Sequence, residues 1–196
     1  MDAMEFFQQS AGKWRSHRTT HHLAFRRSEF GESEINVEPL TATDPSIVAL
    51  CELHQIDPNT AIGGCRVRWE ASMDWDKDEE QHEGNTAFAL VPDPENPRQG
   101  KLLRELGYAE IVPVVGDYEL DDDGGLVLVT EYETMSSVER FWFASPDLRM
   151  RSSTVKRFGG FSSASFCTES RITPDASDSA AAADSTKPAP FSVLGW

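Results

Sequence analysis

Cations, cysteines and long apolar runs are all scarce in this 196-residue chain. Lys and Arg total 18 against 33 Asp and Glu, a formal net charge of −15. Nucleic acids and anionic membrane surfaces are recognised through basic patches, so neither is expected as a partner. No apolar stretch approaches the roughly 20 residues of a membrane-spanning helix. The opening Met1-Asp2-Ala3-Met4-Glu5 lacks the basic start and apolar run of a secretory signal, and the expected location is the cytosol. Cys51, Cys65 and Cys167 are odd in number and form no CxxC pair, which argues against a disulfide framework, a zinc ribbon or a redox pair; they read as reduced structural thiols. The acidic runs at 74–83 and 121–123 lack calcium-loop spacing and read as solvated loops, and the adjacent His21 and His22 do not make a metal pair. No metal or permanent cofactor is expected. A Ser/His/Asp set, a reactive-Cys motif and a phosphate-cradling loop are missing as well.

What is present is mostly strand. The length fits one domain with a sizeable core. A short apolar helix pattern (Met4, Phe6, Phe7) precedes a strand at 12–22 that has room to run to Phe25, and Ile35 to Leu40 alternates again. Asp44 then suits an N-cap and Pro45 a first helical position, followed by Ile47, Leu50, Cys51 and Leu53 at helical spacing. From Ala61 onward, strand patterns cover 61–73, 86–91, 100–106, 112–120, 126–135, 138–144, 148–155 and 161–172, separated by turn signals such as Asp123-Gly124-Gly125 and Ser145-Pro146-Asp147. About ten short antiparallel strands with few helices remove their edges most readily by closing into an up-and-down barrel, wide enough inside for one small ligand. The domain is expected over 1–173. Residues 174–196, rich in Ala, Ser, Asp and Pro, have no periodic apolar face and are expected to be disordered, with the apolar Phe191 to Trp196 at their end.

The first strand carries unusually many cations. Side chains alternate across a strand, so Trp14, Ser16, Arg18, Thr20 and His22 share one face, and Arg15, His17, Thr19 and His21 the other. If the Trp14 row points inward, Arg18 enters the barrel, where an unpaired charge is too costly to persist without an anion. An acidic ligand follows from that placement. Arg149, Arg151 and Ser153 likewise share one face of a late strand, in a hairpin with the strand carrying Glu139.

Gly12-Lys13-Trp14 after a short helix resembles the lipocalin and calycin barrels. The fuller string from Ser10 through Arg18-Thr19-Thr20-His21-His22 to Phe25 is similar to the S-type phycobiliprotein lyases, the CpcS/CpeS family, as are Val67-Arg68-Trp69-Glu70 with Trp75, Glu139-Arg140-Phe141-Trp142-Phe143 and Pro146 to Ser153. The resemblance covers about residues 1 to 172. It implies a calycin-type barrel that binds a linear tetrapyrrole, phycocyanobilin or phycoerythrobilin, and attaches it by a thioether to a cysteine of an apo-phycobiliprotein subunit. It also implies the site: Arg18 and Arg149 for the propionates, with Arg151, His21 and Ser153 beside them, Trp69 and Trp75 as flat walls, and Glu139 either paired to an arginine or facing the pyrrole nitrogens, with Glu139 and Arg149 the expected catalytic residues. Arg149→Ala is expected to weaken uptake in an intact barrel. Two alternatives stand beside the lyase: a non-catalytic carrier of an amphipathic carboxylate, and an antenna-assembly protein using the apolar C-terminus. A homodimer or a pairing with a related lyase chain is left open.

Overall fold

The computed structural model describes residues 1–73, 82–105, 113–157, 160 and 162–173. Ten antiparallel strands close into one barrel, β1 (Gly12–His22), β2 (Arg27–Thr41), β3 (Gly63–Met73), β4 (His82–Pro92), β5 (Gln99–Arg104), β6 (Val114–Leu120), β7 (Leu126–Glu131), β8 (Met135–Ser145), β9 (Leu148–Arg157) and β10 (Ser162–Arg171), with β10 hydrogen-bonded back to β1. Closure leaves no edge. The period-two pattern is cleanest in β6, where Val114, Gly116, Tyr118 and Leu120 are buried and the residues between them exposed.

Helix α1 (Ala3–Gln9) starts on a capping box in which the Glu5 N–H donates to Asp2 and the Asp2 N–H to Glu5, both at 2.7 Å. It buries Ala3, Phe6 and Phe7 against one end of the barrel, with the Phe6 ring 5.0 Å from that of Phe143. Trp14 completes this floor. Fully buried, it donates its indole N–H to the Ser10 carbonyl at 2.8 Å. The Arg171 guanidinium lies 4.2 Å over its ring and donates to the Ala11 and Gln9 carbonyls, tying the end of β10 to α1 and β1.

Helix α2 (Pro45–Leu53) is capped by Asp44, which accepts from the Ser46 N–H at 2.8 Å. It lies on the side of the barrel, where Ile47, Leu50 and Cys51 pack on Leu40, Ala89 and Leu103 of the outer face. Gly64 makes that approach possible, since a Cβ there would sit 2.8 Å from Ile47 and overlap the Phe88 carbonyl.

Several strand bounds differ from those expected. β1 stops at His22, and a 3-10 turn (Leu23–Phe25) follows it. β2 begins eight residues earlier than the apolar alternation suggests, because its first inward residues are Glu29, Gly31 and Ser33. β7 ends at Glu131, and Met135 opens β8 instead. Trp75 and the tail 174–196 lie outside the described residues.

Candidate functional site

Register fixes what faces the lumen. Buried Trp14 and Ser16 set the parity of β1, so Arg18, Thr20 and His22 point inward and Arg15, His17 and His21 outward. Pairing then carries each inward residue around the wall through β10 and β9 to β8. Ser16, Glu169, Arg149 and Phe143 form the deepest row; Arg18, Cys167, Arg151 and Phe141 the next; Thr20, Ser165, Ser153 and Glu139 the third. Burial falls along these rows, from fully buried Glu169 beside the floor to half-buried Arg18, Arg151, Ser153 and Glu139. Half of the interior is thus a polar wall. The other half, with Leu90, Leu102, Tyr118, Leu120, Leu126 and Leu128, is apolar.

In the deepest row the Arg149 Nε–H donates to Glu169 at 2.6 Å, and both side chains are nearly sealed, at 6 % and 0 % exposure. The Arg149 guanidinium also sits 4.9 Å over the Trp14 ring. Arg151 is held differently. Its ion-pair distances are 3.7 Å to Glu169 and 3.8 Å to Glu139, it donates to the Cys167 thiol at 3.3 Å, and it lies 5.5 Å over the Phe141 ring. Burial opposes its charge, but Cys167, Glu169 and Glu139 outweigh burial and raise its pKa. A fixed cation with only loose carboxylate partners therefore faces the lumen. The Ser153 and Ser165 hydroxyls share a hydrogen bond of 2.6 Å. Among the described residues, Ser16 Oγ and Glu169 Oε1 are buried with no hydrogen-bond partner.

Trp69 is inward and half-buried, paired across from Ile35 and Gly84. Its indole rests on Gly84 so closely that a Cβ at that position would lie 2.0 Å from the ring. Only glycine gives the ring this seat. Buried Cys65 has its thiol pushed up to about 12 by burial, partly offset by Arg149, and is neutral at physiological pH.

Of the residues expected at the site, Arg18, Trp69, Glu139, Arg149, Arg151 and Ser153 share the barrel interior. Two placements stand out. His21 is exposed on the outer row; its neighbour His22 is the inward histidine and pairs with Glu29 at 3.0 Å. Arg149 lies in the floor, where its Nε–H is bonded to Glu169. Glu169, Glu29 and Arg171 were not foreseen. In β10 the large apolar residue, Phe166, is outward and 43 % exposed, so hydrophobic alternation alone would assign this strand the wrong face.

A family model described as CpeS-like protein matches residues 2–172. "Chromophore lyase CpcS/CpeS 2" of Trichodesmium erythraeum is 61% identical over 196 residues, covering 100% of both chains. The "Phycocyanobilin lyase subunit CpcS" of a Picosynechococcus strain is 59% identical over 195 residues, 100% of this chain and 98% of the relative. Among solved structures, the S-type phycobiliprotein lyase CPES from Guillardia theta superposes with a TM-score of 0.78 at 38% identity, over 88% of this chain and 94% of that one.

Proposed function

The chain belongs to the CpeS-like family of chromophore lyases, and from that premise we propose that it takes up a free linear tetrapyrrole, phycocyanobilin or phycoerythrobilin, in the barrel lumen and joins it through a thioether to a cysteine of a phycobiliprotein subunit in the cytoplasm. The observation that carries this reading is the Arg18–Cys167–Arg151 row, which turns two half-buried guanidinium groups inward on one wall.

An open-chain tetrapyrrole brings two propionates, four pyrrole-type nitrogens and a conjugated system ending in an electrophilic ethylidene. Arg18 and Arg151 suit a propionate, since a planar guanidinium binds carboxylate with two parallel N–H donors. Trp69 supplies a flat face, and Ser153 a hydroxyl. Glu139, 3.8 Å from Arg151, is the carboxylate that this reading sets against the pyrrole nitrogens. The Arg149–Glu169 pair lies beneath and orients Arg151 through Glu169. In the transfer step the client's thiol sulfur adds to the ethylidene carbon, the new C–S bond forms, and the thiol proton ends on the tetrapyrrole; nothing leaves. The chain's part is to hold the ethylidene in one orientation, bring it to the thiol and steady the charge of the protonated nitrogens through Glu139.

Titration of the purified protein with phycocyanobilin, followed by visible absorbance, tests the reading. Saturable binding supports it; tight binding of a fatty acid with none of the bilin favours the simple carrier. Arg151→Ala is expected to weaken bilin affinity by roughly 10- to 100-fold, the loss of a charge-assisted hydrogen bond of about 1.5–3 kcal/mol. His21→Ala is expected to leave affinity within about twofold, as an exposed outer residue. A larger effect at His21 than at His22 in the same titration contradicts the inward parity.

A further inference from the structure

We propose that Arg104 is a second anchor for the substrate, holding a propionate on the wall opposite Arg18 and Arg151. The inference rests on the tetrapyrrole reading above. β5 and β10 are five strands apart in either direction around the ring of ten, so Arg104 stands across the lumen from Cys167 and Glu169. Its direction follows from register. It continues the inward row of Gly100 and Leu102, while Leu103 points outward beneath α2. Its neighbours on either side, Phe88 and Val114, belong to the same inner row.

The guanidinium lies 4.9 Å over the Phe88 ring, which covers one of its faces. Its Nε–H is buried with no acceptor, and among the described residues Arg104 joins no ion pair. Arg149, Arg151, Arg140 and Arg171 all have carboxylate partners within 4.0 Å. A buried donor without a partner is destabilising and uncommon, and a bound carboxylate would satisfy it. The backbone beneath it is fixed: the His54 Nε2–H at the end of α2 donates to the Arg104 carbonyl at 2.9 Å. An anchored guanidinium stacked on an aromatic ring and lacking an acceptor is suited to a ligand carboxylate. With one propionate on each wall, the tetrapyrrole is fixed at two points, and the ethylidene is presented at one end of the lumen only.

The test compares phycocyanobilin with its dimethyl ester, which keeps the conjugated system and removes both negative charges. Wild type is expected to prefer the free acid. Arg104→Gln is expected to lose about tenfold in affinity for the free acid and to change little for the diester. Arg104→Lys, which keeps the charge but not the fork, is expected to recover part of the preference. Free-acid affinity unchanged in folded Arg104→Gln overturns this inference alone, whereas failure of wild type to bind the bilin overturns the tetrapyrrole reading with it. If Arg104→Gln proves unstable on thermal melting, Arg104→Lys decides: a reduced acid-to-diester ratio supports the anchor, and the wild-type ratio contradicts it.

Discussion

Glu169→Ala is expected to lower the stability of the barrel by about 3–5 kcal/mol, the usual effect of removing one partner of a buried ion pair. Glu169 is fully buried, it accepts the Nε–H of the nearly sealed Arg149 side chain at 2.6 Å, and that guanidinium is wedged against Trp14. Without the carboxylate, a cation is stranded in the floor with no water to solvate it. Arg149→Ala strands Glu169 in turn, with Arg151 3.7 Å away as its remaining cation, and a loss of similar size is expected. This replaces the expectation that Arg149→Ala weakens uptake in an intact barrel: fold and uptake fall together. The double variant Arg149→Met/Glu169→Leu removes both charges at similar volume and should regain most of the lost stability, because apolar replacement of a buried pair is often neutral. Urea unfolding of the four proteins measures these stabilities. A single variant within about 1 kcal/mol of wild type contradicts the floor role.

The second large effect is kinetic. Glu139→Gln is expected to slow chromophore transfer by about 100-fold or more, the low end of what a positioned acid–base group contributes, while bilin affinity changes by less than about tenfold. Glu139 lies on the inner row opposite Ser153, half-buried and 3.8 Å from Arg151, a distance at which the ion pair contributes little to stability. Its removal therefore leaves the wall standing. What is lost, on the proposed reading, is the negative charge set against the tetrapyrrole nitrogens as the thiol proton is delivered. The initial rate of covalent product, set beside the equilibrium titration, separates the two quantities. Equal losses in both would make Glu139 a binding group only.

The barrel was legible because its apolar half obeys period two: Val114 to Leu120 alternates without a break, and turn signals bound most strands. The polar half was not. A strand whose inward residues are Glu29, Gly31 and Ser33, or Ser165, Cys167 and Glu169, offers no hydrophobic contrast between its faces. The upper part of β2 consequently lies outside the expected strand, and no apolar alternation orients β10. Trp14 resolved β1, since a side chain of that size finds its place in the floor, and Arg18 followed it inward. The same parity puts His22 inside and His21 outside. His21 entered the expected site through family resemblance alone, which carries both histidines without distinguishing them. Arg149 and Arg151 were found together by their two-residue spacing, but their division of labour depends on Glu169, which becomes visible only when β10 is laid between β1 and β9.

The most direct test of the central claim is covalent attachment. The purified chain, loaded with phycocyanobilin, is mixed with an apo-phycobiliprotein subunit and with the same subunit carrying Cys→Ala at its acceptor position, and bilin that survives denaturation is measured over time. The account predicts a denaturation-resistant, uniform thioether product on the unaltered subunit, formed much faster than from free bilin and missing from the Cys→Ala subunit. Product forming at the same rate and with the same mixture of adducts whether or not the chain is present would contradict it.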